Sequence, residues 1–229
     1  MTVFYYAFKR SIANKTNLFF LFLFPVILIF FPSAEYWPHL PYGYQYFGLF
    51  LMFISLKLTG LILEDRMRGV VKRLAVAPIS HLRYLTQNLI AYFIILVIQC
   101  GILIGGGVLI GLELYQPFWL FILFVCFSLS AIGFSLMWIS FFRSREMSMI
   151  IFVSVISLIA VLGGVMIPIE LMPDVLQKVA IVFPTYWLAA GLDWVVFGDQ
   201  GVKDFLAING MLILFTILFL IIGSARKLR

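Results

Sequence analysis

Glu64, Asp65, Arg66, Arg68, Lys72 and Arg73 crowd six charges into ten consecutive positions of a chain in which only 11% of residues are charged. Three kinds of chemistry suit such a cluster: ion pairing within a helix, attraction to anionic lipid, and docking to another protein. Glu64 and Arg68 stand four apart in the favourable order for a helical ion pair. At about 100° per residue, Met67, Val70, Val71, Leu74 and Ala77 share one side of a helix, with Asp65, Arg66, Arg68, Lys72 and Arg73 opposite. The pattern predicts an amphipathic surface helix running from Glu64 towards Pro78, with Gly69 as a thin point or bend. On periodicity alone, a solvated helix that holds anionic lipid accounts for it. Lys57 is a separate case, about 10 Å deeper along the same segment. Its stem either snorkels to the headgroups or lines a substrate path; Ser55 and Thr59 fall on the far side of the helix and give it no polar stripe.

Other chemistry has no visible carrier. The sequence holds no G-x-x-x-x-G-K-[ST] phosphate loop, no H-E-x-x-H and no G-x-S-x-G. Gly105-Gly106-Gly107 is followed by Val108 and Leu109, not by a lysine and a polar helix start, and Gly101, Gly105, Gly107 and Gly111 read as small residues for close helix packing. His39 and His81 fall on opposite sides of the membrane. Cys100 and Cys126 sit in apolar runs without partners at metal or redox spacing. No catalytic residue, cofactor site or metal site is expected in this chain.

The elements that must position these residues are set by composition. Of 229 residues 64% are apolar, and the apolar runs are long enough to cross about 30 Å of hydrocarbon as helices, too long for the short alternating strands of a barrel. They lie at about 17–33, 43–63, 86–112, 117–142, 148–169 and 204–223. The expectation is an all-α, polytopic membrane protein of six transmembrane helices forming one domain over 1–229.

With the N-terminus in the cytoplasm, thirteen of the 16 basic residues fall on cytoplasmic segments, Lys178 and Lys203 outside, and Lys57 within a span. This satisfies the positive-inside rule and accounts for the net charge of +6 without nucleic acid. Both termini are then cytoplasmic. Glu35, Glu113, Glu170, Asp174, Asp193, Asp199 and Asp204 fall outside. The external stretch from Pro168 to Pro184 carries Pro173, and Val175, Leu176, Val179 and Phe183 recur at helical spacing. It reads as a short interfacial helix that closes the outer mouth of a pathway, or as a re-entrant segment.

The E-D-R-x-R-G-V-x-x-R-L-x-x-x-P-I-S run after the second span, and G-G-V-M-I-P-I-E-x-M-P-x-x-L followed by V-A-x-x-F-P-T-Y-W after the fifth, resemble the ABC-2 permeases. That resemblance covers essentially the whole chain. It implies that Glu64 to Ser80, including Glu64, Asp65, Arg66, Arg68, Gly69, Lys72, Arg73 and Pro78, is a coupling helix that docks on a separate cytoplasmic ATPase subunit, where ATP and Mg bind. It implies an amphipathic elbow helix in FYYAFKRSIANKTN, and a pathway formed with a second copy or a similar permease in a bacterial plasma membrane. The expected function is export of a lipophilic or amphipathic molecule, such as a drug, an antimicrobial peptide or a lipid-linked compound. An immunity or sensor protein that binds an antimicrobial peptide, and an ATP-independent transporter, are the rivals. The latter usually leaves a carboxylate inside the membrane, and none is present.

Overall fold

The computed structural model describes residues 2–13, 18–32, 40–69, 81–198 and 201–225. Nine helices account for the regular structure, and no strand is formed among the described residues. They are α1 (Thr2–Ala13), α2 (Phe19–Ile29), α3 (Tyr42–Met67), α4 (His81–Leu109), α5 (Pro117–Ser140), α6 (Arg145–Leu162), α7 (Asp174–Ala180), α8 (Pro184–Phe197) and α9 (Val202–Ala225). A 3₁₀ turn, Ile169–Leu171, precedes α7.

Five of these, α3, α4, α5, α6 and α9, are long and apolar enough to cross a membrane, and the bent pair α7–α8 makes a sixth candidate. Among the described residues the first apolar run is shorter than the expected span. The part Phe19–Ile29 covers about 16 Å at 1.5 Å per residue, half the hydrocarbon thickness. The reason lies in Pro25. Without an N–H, Pro25 cannot bond the carbonyl four or five residues back, and the turn Phe19–Leu23 is π-helical. The Phe20 and Leu21 carbonyls left over accept from Gln99 Nε2 of α4 at 3.1 and 3.2 Å. Gln99 is thus 1% exposed and engaged on α2.

The core is organised around α3, whose most apolar stretch is 83% buried against 28% for α6 and α9. Glycines set the closest approaches. Gly43 lies against the Leu28 backbone, so α3 begins in direct contact with the end of α2. On α4, Gly107 leaves room for the Tyr44 hydroxyl, which donates to the Leu103 carbonyl at 2.8 Å. Gly101 and Gly105 meet no neighbour among the described residues, so there the expected packing stripe on this helix reduces to its buried side.

The stretch that begins at Pro168 also departs from a simple interfacial helix. Pro173 and Pro184 start two helices, bent 99° from one another. α8 enters the bundle: Leu188, Ala189, Leu192, Val195 and Val196 are buried, and Trp194 packs with Trp119 and Phe205, ring centroids 4.6 to 5.7 Å apart. Gly198, in the left-handed conformation after its last turn, closes it.

Candidate functional site: a charged junction of four helices

The last turn of α3 carries two adjacent carboxylates. Successive helical residues diverge by about 100°, so the two reach different neighbours. Asp65 faces α1 and α4, where Arg10 Nη1 donates to it at 2.5 Å and the Tyr84 hydroxyl at 2.6 Å. Glu64 faces α6, where Arg145 Nη1 donates at 3.0 Å, and it also accepts from Arg68 one turn on at 2.6 Å. Four helices are thereby tied at one end of the bundle.

Local sequence explains the placement. Ser144 caps α6, its hydroxyl accepting from the Met147 N–H at 3.5 Å, and so sets Arg145 in the first turn. The Arg145 side chain then lies along Gly60, one turn before Glu64, where the missing side chain opens its route. Each of these groups is badly placed on its own helix, the acids near a negative helix end and Arg145 near a positive one, at a cost of about 0.3–1 kcal/mol each. Pairing across helices reverses that. Burial by itself would lower the pKa of Arg10, but the hydrogen bond and charge of Asp65 outweigh it and hold the guanidinium above its ordinary value.

The energies are unequal. The Glu64–Arg68 pair is surface-exposed, its arginine side chain 72% accessible, and such pairs contribute about 0.3–0.5 kcal/mol. The Asp65 side chain is 11% accessible and has two partners, so it carries the larger share.

The helix expected from Glu64 to Pro78 is not continuous. Glu64, Asp65 and Arg66 belong to the end of α3, Arg68 is its C-cap, and Gly69 adopts φ +70°, a left-handed exit that stops the helix. Lys72, Arg73 and Pro78 lie outside the described residues.

Lys57 is buried inside the bundle. It is 9% exposed, and its ammonium lies 3.9 Å from the centre of the Phe20 ring in the π-helical turn of α2. Phe20 is backed by Phe53 and Phe24, and Phe24 stacks on Phe50 at 4.1 Å. A desolvated cation over an aromatic face gains about 2 kcal/mol. Lys57→Met should therefore fold with a melting temperature close to the parent, because removing the charge also removes its desolvation cost, whereas Phe20→Ala should lower it by several degrees. Thermal melting of the purified protein checks the order of the two. Ser55 and Thr59 donate to the carbonyls of Leu51 and Ser55 at 2.7 and 2.8 Å and leave no polar stripe beside the lysine.

At the opposite end, Val175, Leu176 and Val179 face outward, Phe183 is half-buried and Pro184 buried. Pro168 precedes the 3₁₀ turn. Two polar anchors hold this region. Gln45 Nε2 donates to the Val165 carbonyl at 2.7 Å, and the Thr185 hydroxyl to the Ile159 carbonyl at 2.9 Å, where Gly163 leaves the space. Neither anchor shows in the sequence, since each is a lone polar residue in an apolar run. Arg10, Tyr84 and Arg145 were equally silent, although all three are basic or phenolic residues at helix ends, the one available clue.

Residues 38–225 match the family described as ABC-2 family transporter protein. The linearmycin resistance permease protein LnrN of Bacillus subtilis (strain 168) is 29% identical over 168 residues, which cover 73% of this chain and 44% of that protein. The chain thus spans less than half the length of this relative.

Proposed function

Since the chain belongs to the ABC-2 transporter family, we propose that it is the membrane permease of an ATP-driven exporter, without an ATPase site of its own. It recruits a separate cytoplasmic ATPase subunit, which binds ATP and Mg, and forms its pathway with a second copy or a similar permease. The cargo is lipophilic or amphipathic, a drug, an antimicrobial peptide or a lipid-linked molecule; that a relative is a linearmycin resistance permease supports a resistance role. The end of the bundle that holds the junction is cytoplasmic, as are both termini.

The observation that carries this reading is the junction itself. A partner that pushes on the basic segment 70–80 acts on the end of α3, and the Glu64 and Asp65 pairs pass the displacement to α1, α4 and α6 together. Bistable packing turns such a local shift into a change of access. At the opposite end, the α7–α8 pair is placed to close the outer mouth.

Co-expression with chromosomal neighbours and purification in mild detergent tests the proposal. A stoichiometric ATPase is expected. Its absence, with antimicrobial binding retained, would establish the immunity or sensor reading instead; cargo movement driven by an ion gradient would establish the secondary transporter. Within the complex, Glu64→Lys should lower cargo-stimulated ATP turnover roughly five- to thirtyfold, the equivalent of about 1–2 kcal/mol of coupling. Glu64→Lys combined with Arg145→Glu should recover part of it. Turnover unchanged in the single variant would remove the junction from the coupling route.

A further inference from the structure

Lys57 carries a positive charge into the bundle, and no carboxylate pairs with it among the described residues. It is 9% exposed, and the Phe20 ring covers one side of its ammonium. The charge that bears on it from the protein is Arg145, of its own sign and itself spent on Glu64. An ionisable side chain within a membrane segment is costly and ordinarily paired. A ring face returns part of that cost but leaves the charge unneutralised.

The place of Lys57 on α3 shows what could reach it. Between Tyr42 and Leu63 every residue of this helix is buried except Tyr42, Tyr46, Leu49 and Phe53. These four follow one another at four, three and four positions, so they share one stripe, where α3 comes to the surface of the bundle. Lys57 is the next step of four. On one side the stripe is bounded by α2, where Phe20 meets Phe53 at 5.9 Å between ring centroids. On the other it is bounded by α6, whose Arg145 side chain lies along Gly60, one step further on. The Arg145–Glu64 pair closes that end. An apolar, largely aromatic track about 22 Å long at 1.5 Å per residue thus ends on a cation.

We propose that Lys57 recognises the carboxylate of an amphipathic cargo, whose apolar body lies along Tyr42, Tyr46, Leu49 and Phe53. The inference rests on the transporter reading and narrows its cargo to acidic amphipaths. One ammonium is a compact point charge that neutralises one negative charge, and Arg145 is not free to add a second. A carboxylate meets that condition better than a doubly charged phosphate. Walls of this kind exclude water, and an ion pair formed between them is stronger than one in solvent.

Binding of dansylaminoundecanoic acid and of its methyl ester to the full chain in phosphatidylcholine nanodiscs tests it, after subtraction of partition into protein-free nanodiscs. The acid is expected to saturate one site per chain and to bind roughly tenfold tighter than the ester. Lys57→Met should abolish that preference and Lys57→Arg should keep it; Lys57→Gln gives the same reading if the methionine variant does not fold. Phe53→Ala should weaken both probes alike, by severalfold. Equal binding of acid and ester by the parent overturns the site, as does a preference that survives Lys57→Met. Displacement of the acid by phosphatidylglycerol added to the nanodisc, and not by laurate, would give the lysine to a lipid headgroup and overturn the cargo assignment. The measurement needs no ATPase, so its failure removes the lysine site alone, whereas a missing ATPase partner removes the exporter reading.

Discussion

Asp65→Ala should free α1 from the bundle. The substitution takes away the acceptor that the Arg10 guanidinium and the Tyr84 hydroxyl share, and leaves Arg10 with the Tyr92 hydroxyl alone. Removing one partner of a fully buried pair costs about 3–5 kcal/mol. The Arg10 side chain is 40% accessible, and water can take over part of its solvation, so about 2 kcal/mol is the better figure here. Arg10→Gln should cost about half as much, because Asp65 keeps the tyrosine. Thermal melting ranks the two. A cysteine at Ser11, a buried position on α1, supplies the local reading: it should resist maleimide in the parent and label rapidly with Asp65→Ala. Slow labelling in both would show that α1 is held by its apolar contacts with α4 alone, with no need of the ion pair.

Gly43→Val should have the largest effect of any substitution considered. A side chain at Gly43 would meet the Leu28 carbonyl and its backbone neighbours, not a rotatable group. No rotamer change relieves that contact, and the start of α3 must part from the end of α2. Overpacking of this kind costs about 1–3 kcal/mol where side chains can yield, and more where only backbone can. Loss of monodisperse protein on size exclusion is the expected outcome. Gly105→Ala is the matched control: no described residue lies within reach of a side chain there, and alanine should be neutral or gain up to about 1 kcal/mol of helix propensity. A Gly43→Val protein as stable as the parent would mean that α2 is not seated on α3 in the membrane.

These positions also show what could be seen in advance. Uninterrupted apolar runs located α3, α4, α5, α6 and α9, because run length alone separates a spanning helix from a buried soluble one. The first run misled for a local reason: hydropathy does not register that Pro25 leaves two carbonyls open, which only a glutamine far along the chain closes. α8 was hidden by Asp193 and by its short length, although Pro184 at its start and Gly198 after its end are ordinary helix punctuation. At the junction, Glu64 and Asp65 stood out through charge density. Their partners did not, since Arg10 and Arg145 lie 55 and 81 positions away from them, and no periodicity reaches that far. Only the Glu64–Arg68 pair was legible as a pair, and it is the weakest of the three.

The position of Lys57 over Phe20 has a consequence for how the chain is made. On the ribosome, α3 leaves the exit tunnel before α5 and α8, the helices that later enclose it; at about 5–20 residues per second that interval is on the order of ten seconds. During it, a lysine stands in a nascent hydrophobic segment without the neighbours that surround it in the finished protein. Phe20 precedes it in the chain and is already present. The aromatic ring can therefore shelter the ammonium from the moment of insertion, and an insertion assay on chains truncated after residue 69 should find Phe20→Ala far more damaging with Lys57 in place than with methionine there.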